Sequence, residues 1–489
     1  MKNCCATLFF SFFEDGFYSL PFLLYLASAM AAASRPSITD LQPICQFMID
    51  LLTYGLRGAV GIAVLIGIAF LFSSDRRNIN WKLVGIGVAL QLIFALLVLK
   101  TNPGRVLFEG IGAAFAGLLE FTFAGSEFIF GPLGMDPEEE GSFGFVFAFQ
   151  VLPTIVFFGS LMAVLYYLRL VQPMVKGMGK FMAKAMNISG AESLSVAGNV
   201  FIGQTEAPLL VKHYIGGMTR SELMTLMTGG MASIAGGVLA SYILFLGGDD
   251  PAARAFYASH LLSASIMSAP AAIVMAKILV PEAGKPQTYG DVEMEVEQDD
   301  ANVLEAAASG AGEGLKLALN VGAMLLAFIA LIAMLNFLLQ WVGNPSILGF
   351  EPWDLNSLIV DISGGQFEGL TLEAILGTIF APIAWAIGVE TADIFQFGRL
   401  LGEKVVVNEF VAFVSLSELQ DVMSERSFII GTYALCGFAN FSSIAIQIGG
   451  IGGIAPERKA DVALLGVQAV IGGALASWMT ATIAGVLIA

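Results

Sequence analysis

Val200-Phe201-Ile202-Gly203-Gln204-Thr205-Glu206-Ala207-Pro208-Leu209-Leu210 sets a glutamine, a threonine and a carboxylate between a glycine and a proline inside an otherwise apolar run. At bilayer depth a charged side chain costs about 2.5–3.5 kcal/mol on insertion scales, so such a residue faces a cavity, a partner or a substrate. Gly388-Val389-Glu390-Thr391 repeats the pattern. Each knot breaks an apolar segment near its middle, Leu194–Tyr214 and Leu372–Leu401. Non-helical backbone at membrane depth is tolerated only where protein buries it or water lines it. Both segments therefore read as re-entrant hairpins whose tips point into one interior site.

The rest of the chain suits a bilayer. Of its 489 residues 57% are hydrophobic and 13% charged, with a mean hydropathy of +0.80, far from a soluble domain. A span takes about 20 apolar residues. Eight segments qualify: Leu56–Phe72, Leu83–Leu99, Phe143–Leu168, Leu223–Leu246, Leu261–Val280, Leu315–Val342, Phe428–Gly453 and Val462–Ala489. The expected fold is an all-α polytopic membrane protein, about eight transmembrane helices plus two re-entrant hairpins, multi-pass in an inner or plasma membrane.

A weak internal repeat relates the hairpins. Each is followed by a Ser-Glu pair, Ser221-Glu222 and Ser424-Glu425, that opens a helix interrupted mid-span, at Ala232–Gly237 and at Gly437–Ser443. Three crossings separate the hairpins, so the second enters from the opposite face. This is the inverted-repeat arrangement of a secondary transporter, with discontinuous helices meeting at the midplane.

Charge and sulfur narrow the function. The formal net charge is −17, but the acidic residues crowd into Glu138-Glu139-Glu140 and Asp291–Asp300, which read as solvated loops. With no basic stripe, nucleic acid is not a partner. Arg76, Arg77 and Lys82 mark a cytoplasmic loop between the first two spans, as do Arg169, Lys176, Lys180 and Lys184 after the third. Cys4, Cys5, Cys45 and Cys436 have no CxxC spacing, and His213 and His260 are the only histidines. Zinc chemistry and a Ser/His triad are disfavoured. Gly450–Ala455 approaches a dinucleotide fingerprint but no βαβ unit surrounds it. The expectation is a non-enzyme without cofactor. Residues 1–35 read as a signal-like start with Ala27-Ser28-Ala29 as cleavage site, as an extra helix, or as an overlong start before Met30.

A polar solute leaving water needs protein hydrogen bonds, because each buried group left unpaired costs about 1–3 kcal/mol. Gln204 and Asn440 offer donors and acceptors, Thr205 and Ser443 hydroxyls, Glu206 and Glu390 acceptors. The set suits a ligand rich in N–H, carbonyl and hydroxyl groups. Phe438 offers an aromatic face, although membrane phenylalanines mostly pack. Asn199 and Ser233, with carbonyls freed by unwinding, suit a hard monovalent cation; each alone also fits a helix cap.

Leu152–Ser160, Ser189–Ser193, Gly198–Leu210 and Gly437–Gly453 together resemble the concentrative nucleoside transporters, a likeness that runs from about Leu51 to Ala489. The resemblance implies a homotrimer with cation-driven alternating access of the elevator type. It implies that Gln204, Thr205, Glu206, Val238 and Phe438 contact the nucleobase and that Glu390, Asn440 and Ser443 contact the ribose. It implies a sodium site of Asn199, Ser233 and the carbonyls of Ile202 and Ile234. Lys212-His213 departs from the arginine then proline usual in relatives.

Implied partners are a nucleoside, sodium and lipid. The expected division is a start segment 1–49, scaffold helices 50–172 with an amphipathic segment, a first transport half 173–280, an acidic cytoplasmic loop 281–310, a scaffold helix 311–345 and a second transport half 346–489. The leading reading is sodium-coupled nucleoside import. Proton-coupled nucleoside or nucleobase transport, and a nucleoside-binding channel or receptor, are the alternatives.

Overall fold

The computed structural model describes residues 38–137, 139–288, 300–345 and 353–488, with side chains from Thr53 onward. The signal-like start, Glu138 and most of the Asp291–Asp300 run lie outside the described residues. The chain divides into two units after Arg57. In the first, residues 38–57 form the beginning of α1 (Ile38–Leu71). The second, residues 58–488, holds the rest of α1 and every further element, all helical among the described residues.

α2 (Trp81–Lys100), α3 (Asn102–Phe130) and α4 (Phe147–Tyr167) lead to α5 (Val171–Met186), an amphipathic helix with Lys176, Lys180 and Lys184. α10 (Val303–Gly343) packs along α4 through small residues. A Cβ on Gly310 would lie 2.6 Å from the Gly159 carbonyl, so side chains larger than hydrogen would push these helices apart.

Eight helices among the described residues are long and apolar enough to cross a membrane. Seven match the expected spans. The eighth is Asn102–Leu133 instead of Phe428–Gly453. Arg105, Glu109, Glu120 and Glu127 mask the first of these in the sequence, and the second is two shorter helices, not one.

Two sets of elements follow the same order. The first is a hairpin, α6 (Gly190–Asn199) returning through a 3₁₀ turn, Ala207–Val211, into Lys212–Ile215; then the broken helix α7 (Arg220–Ala232) and α8 (Gly236–Gly247); then the long α9 (Pro251–Leu279). After α11 (Leu355–Ile362) and α12 (Leu372–Ile387) comes the second: hairpin α13 (Ile394–Val406) and α14 (Glu409–Glu418), broken helix α15 (Glu425–Leu435) and α16 (Phe441–Ile454), and long α17 (Lys459–Ile488). Three candidate spans lie between the hairpins: α7 with α8, α9, and α10.

The second hairpin is one helix later than its sequence suggests. The Gly388–Glu390 break, with Gly388 at φ +106°, makes a tight corner between α12 and α13. That corner sits at the start of α15: Arg426 Nη1 donates to the Gly388 carbonyl at 2.6 Å, and Glu390 N–H donates to Ser427 Oγ at 3.2 Å. The break that reaches the middle of the broken helix is Val407-Asn408, where the Asn408 side chain caps α14 by accepting from Val411 N–H at 2.9 Å.

Capping fixes where the broken helices begin. Thr219 and Glu222 form a capping box at α7, two residues before the expected Ser221, whereas Ser424 caps α15 as expected. The two breaks then meet. Gly437, at φ +120°, comes so close to the end of α7 that a Cβ there would lie 2.7 Å from the Met231 carbonyl. Glycine alone meets both demands.

Candidate functional site

α6 is buried along its whole length, and its capping box, Ser189 with Glu192, anchors the first hairpin. Asn199 ends that helix. Its Nδ2 donates to the Ser195 carbonyl at 3.0 Å, which leaves Oδ1 buried without a hydrogen-bond partner. Ser233, the C-cap of α7, donates to the Gly229 carbonyl at 3.0 Å. A Cβ on Gly229 would sit 3.4 Å from Asn199 Nδ2, so Asn199 and Ser233 converge on one turn of α7. Ser233 and Ala235 are extended, and Ile234 lies between them outside the helices on either side. An unpaired oxygen beside loosened backbone is the environment a desolvated monovalent cation requires.

The second cluster joins the two repeats. Gln204 Nε2 donates to Ser443 Oγ at 3.2 Å, and Gln447 Nε2 donates to Gln204 Oε1 at 3.1 Å and to the Met227 carbonyl at 2.9 Å. Gly230 lets the tip approach: a Cβ there would lie 2.8 Å from Gln204 Cβ. Asn440 caps α16, accepting from Ser443 N–H at 2.8 Å, and its Nδ2 donates to Glu409 Oε2 at 2.7 Å. Tyr242 O–H donates to Glu409 Oε1 at 3.3 Å. Polar groups from α8, α14, α16, the first hairpin and α7 thus form one continuous chain.

Of the expected substrate residues, the structure brings Gln204, Asn440 and Ser443 into this chain. Thr205 and Glu206 follow Gln204 on the exposed side of the tip, Val238 is buried in the first turn of α8, and Phe438 is half-buried in the second break. It does not bring Glu390 there. Glu390 is held at Ser427, and α15 from Ser427 to its end rises about 12 Å before Asn440 is reached. The carboxylate against Asn440 is Glu409.

Glu409, Gln447 and Tyr242 were not singled out from the sequence. Asn408-Glu409 interrupts Val405–Val414 much as Gln204–Glu206 interrupts its own run. Gln447 lies four residues after Ser443 and seven after Asn440, on one helical face. Tyr242 lies one turn beyond Val238; its ring stacks on Phe413 at 4.1 Å between centroids, which fixes its hydroxyl toward Glu409.

Family models cover most of this architecture. The N-terminal model of the Na+ dependent nucleoside transporters matches residues 60–133 and the C-terminal model residues 260–485; a nucleoside recognition model matches residues 148–249. The chain belongs to the Na+ dependent nucleoside transporter family. A Na+ dependent nucleoside transporter is a carrier, not an enzyme. Relatives include the uncharacterized transporter YutK of Bacillus subtilis, 42% identical over 89% of this chain and 99% of that protein. Solute carrier family 28 member 3 of Homo sapiens is 40% identical over 87% of this chain and 59% of its own, longer sequence. Among solved structures, CNTnw in an inward-facing substrate-bound state superimposes with a TM-score of 0.77 at 41% identity, covering 89% of this chain and 99% of CNTnw. A CNTnw variant in an outward-facing state gives 0.74 at 40%, covering 88% and 97%.

Proposed function

We propose that this protein is a sodium-coupled symporter that imports nucleosides across the inner or plasma membrane. The observation that carries this reading is the polar chain from Gln204 through Ser443, Asn440 and Glu409 to Tyr242, which joins both hairpins and both broken helices. Gln204, Thr205, Glu206, Val238 and Phe438 would take the nucleobase. Asn440, Ser443 and Glu409, the last in place of Glu390, would take the ribose, whose hydroxyls donate well to a carboxylate. Asn199 Oδ1, Ser233 and the carbonyls of Ile202 and Ile234 would hold sodium.

Ion and substrate share the first hairpin tip, so an ion that orders the tip lowers the ordering cost for the nucleoside. The mobile body would comprise 173–280 and 346–489 and move against the scaffold helices in an elevator cycle. Solved states of CNTnw that face inward and outward are consistent with such a cycle. The assembly would be a homotrimer. α3 would lie along the outer edge instead of crossing, because a crossing there would put the basic run Arg169–Lys184 outside.

Calorimetric titration of the purified protein with uridine and with uracil, each in sodium and in potassium, tests the reading. Tight binding of uridine in sodium, with weak binding of uracil, is expected. Equal binding of both in either salt would contradict it.

A further inference from the structure

Lys404 is fully buried in α13, two residues before its end. Its Nζ donates to the Ser477 hydroxyl at 2.6 Å, the Ala434 carbonyl at 2.8 Å and the Cys436 carbonyl at 3.4 Å. All three acceptors are neutral oxygens, the coordination shell of an ion rather than of a salt bridge. Ala434 and Cys436 flank Leu435, the last residue of α15, where the helix unwinds.

The first repeat has the same parts without the ammonium. α7 ends at Ala232, Ser233 follows, and the residue facing them at the end of α6 is Asn199 with its unpaired Oδ1. Asn408, at the second hairpin break, is the reverse: its Oδ1 is committed to Val411 N–H and its buried Nδ2 is unpaired. The first tip offers an oxygen that needs a cation. The second offers a donor, which a cation would repel.

We propose that the Lys404 ammonium is a tethered cation, filling in the second repeat the place that the first repeat leaves to the exchangeable ion. Each protomer then couples a single sodium, and the second broken helix is ordered without one. This rests on the sodium site proposed above.

Counting bound radiolabelled sodium on the full-length protein at saturating uridine tests the inference. The wild type binds a single ion, and Lys404→Asn, which removes the ammonium but leaves the carbonyls, gains a second. The Hill coefficient for sodium-driven uptake rises from about 1 toward about 2, a change that a merely structural lysine would not produce. Lys404→Arg keeps the single ion. Two ions on the wild type, or a single ion on folded Lys404→Asn, would overturn the proposal. Should Lys404→Asn fail to fold in both sodium and potassium, Asn199→Ala decides with the lysine in place: its only sodium binds at least about tenfold more weakly than in the wild type if Lys404 fills the second position, and an ion retained at wild-type affinity overturns it. A wild type that binds no sodium would instead overturn the first-repeat ion site on which the proposal rests.

Discussion

The Glu409 carboxylate accepts a 2.7 Å hydrogen bond from the Asn440 amide, which ties the tip of the second hairpin to the cap of α16. A glutamine at 409 keeps the shape and loses the charge. A hydrogen bond to a charged group is worth about 1.5–3 kcal/mol, so Glu409→Gln is expected to weaken uridine binding about ten- to a hundredfold. Glu390→Gln, at the corner near Ser427, is expected to change it by less than about twofold. Binding titrations on the two variants check this; a reversed order would move the ribose site back to Glu390.

Asn199→Ala removes the unpaired buried oxygen at the end of α6, and Ser233→Ala removes the facing hydroxyl. Each is expected to raise the sodium concentration for half-maximal uptake by at least about tenfold, equivalent to about 1.4 kcal/mol. Uptake measured against sodium at fixed uridine reads this directly, and unchanged sodium dependence in both would remove the ion site.

Gln447 holds Gln204 against α7 through two hydrogen bonds from one nitrogen. Gln447→Leu leaves the Gln204 carbonyl oxygen without that donor, so uridine affinity is expected to fall by about 1 kcal/mol, about fivefold. The half-saturating sodium concentration should rise less than in Asn199→Ala. A larger loss for sodium than for uridine would reassign Gln447 to the ion.

Gly437→Ala places a Cβ against the Met231 carbonyl and forces a side-chain residue to φ +120°. Residues held in such regions cost about 1–3 kcal/mol, and the contact adds to this. Thermal unfolding in detergent should show a lower midpoint than wild type, and an unchanged midpoint would mean that the two breaks do not pack together.

The first half of the site was legible in the sequence because its polar residues are contiguous: Gln204, Thr205 and Glu206 interrupt an apolar run, with a glycine before and a proline after. The second half misled for a physical reason. Gly388-Val389-Glu390 has the same glycine and carboxylate, but they serve a corner between two helices, while Asn408-Glu409 breaks its helix without glycine or proline. Asn408 ends α13 by capping α14 instead, a device that leaves little trace in composition.

Gln447 and Lys404 were hidden differently. The meaning of each depends on what another element brings to it: Gln204 for the first, the carbonyls around Leu435 for the second. Periodicity marks the face a residue occupies but not its partner.

Uptake of labelled uridine into proteoliposomes, with an inward sodium gradient compared against potassium at fixed pH, tests sodium-coupled nucleoside import most directly. Accumulation above the external concentration, only in sodium and abolished when the gradient is collapsed, is the expected result. Uridine that merely equilibrates in either salt would contradict it.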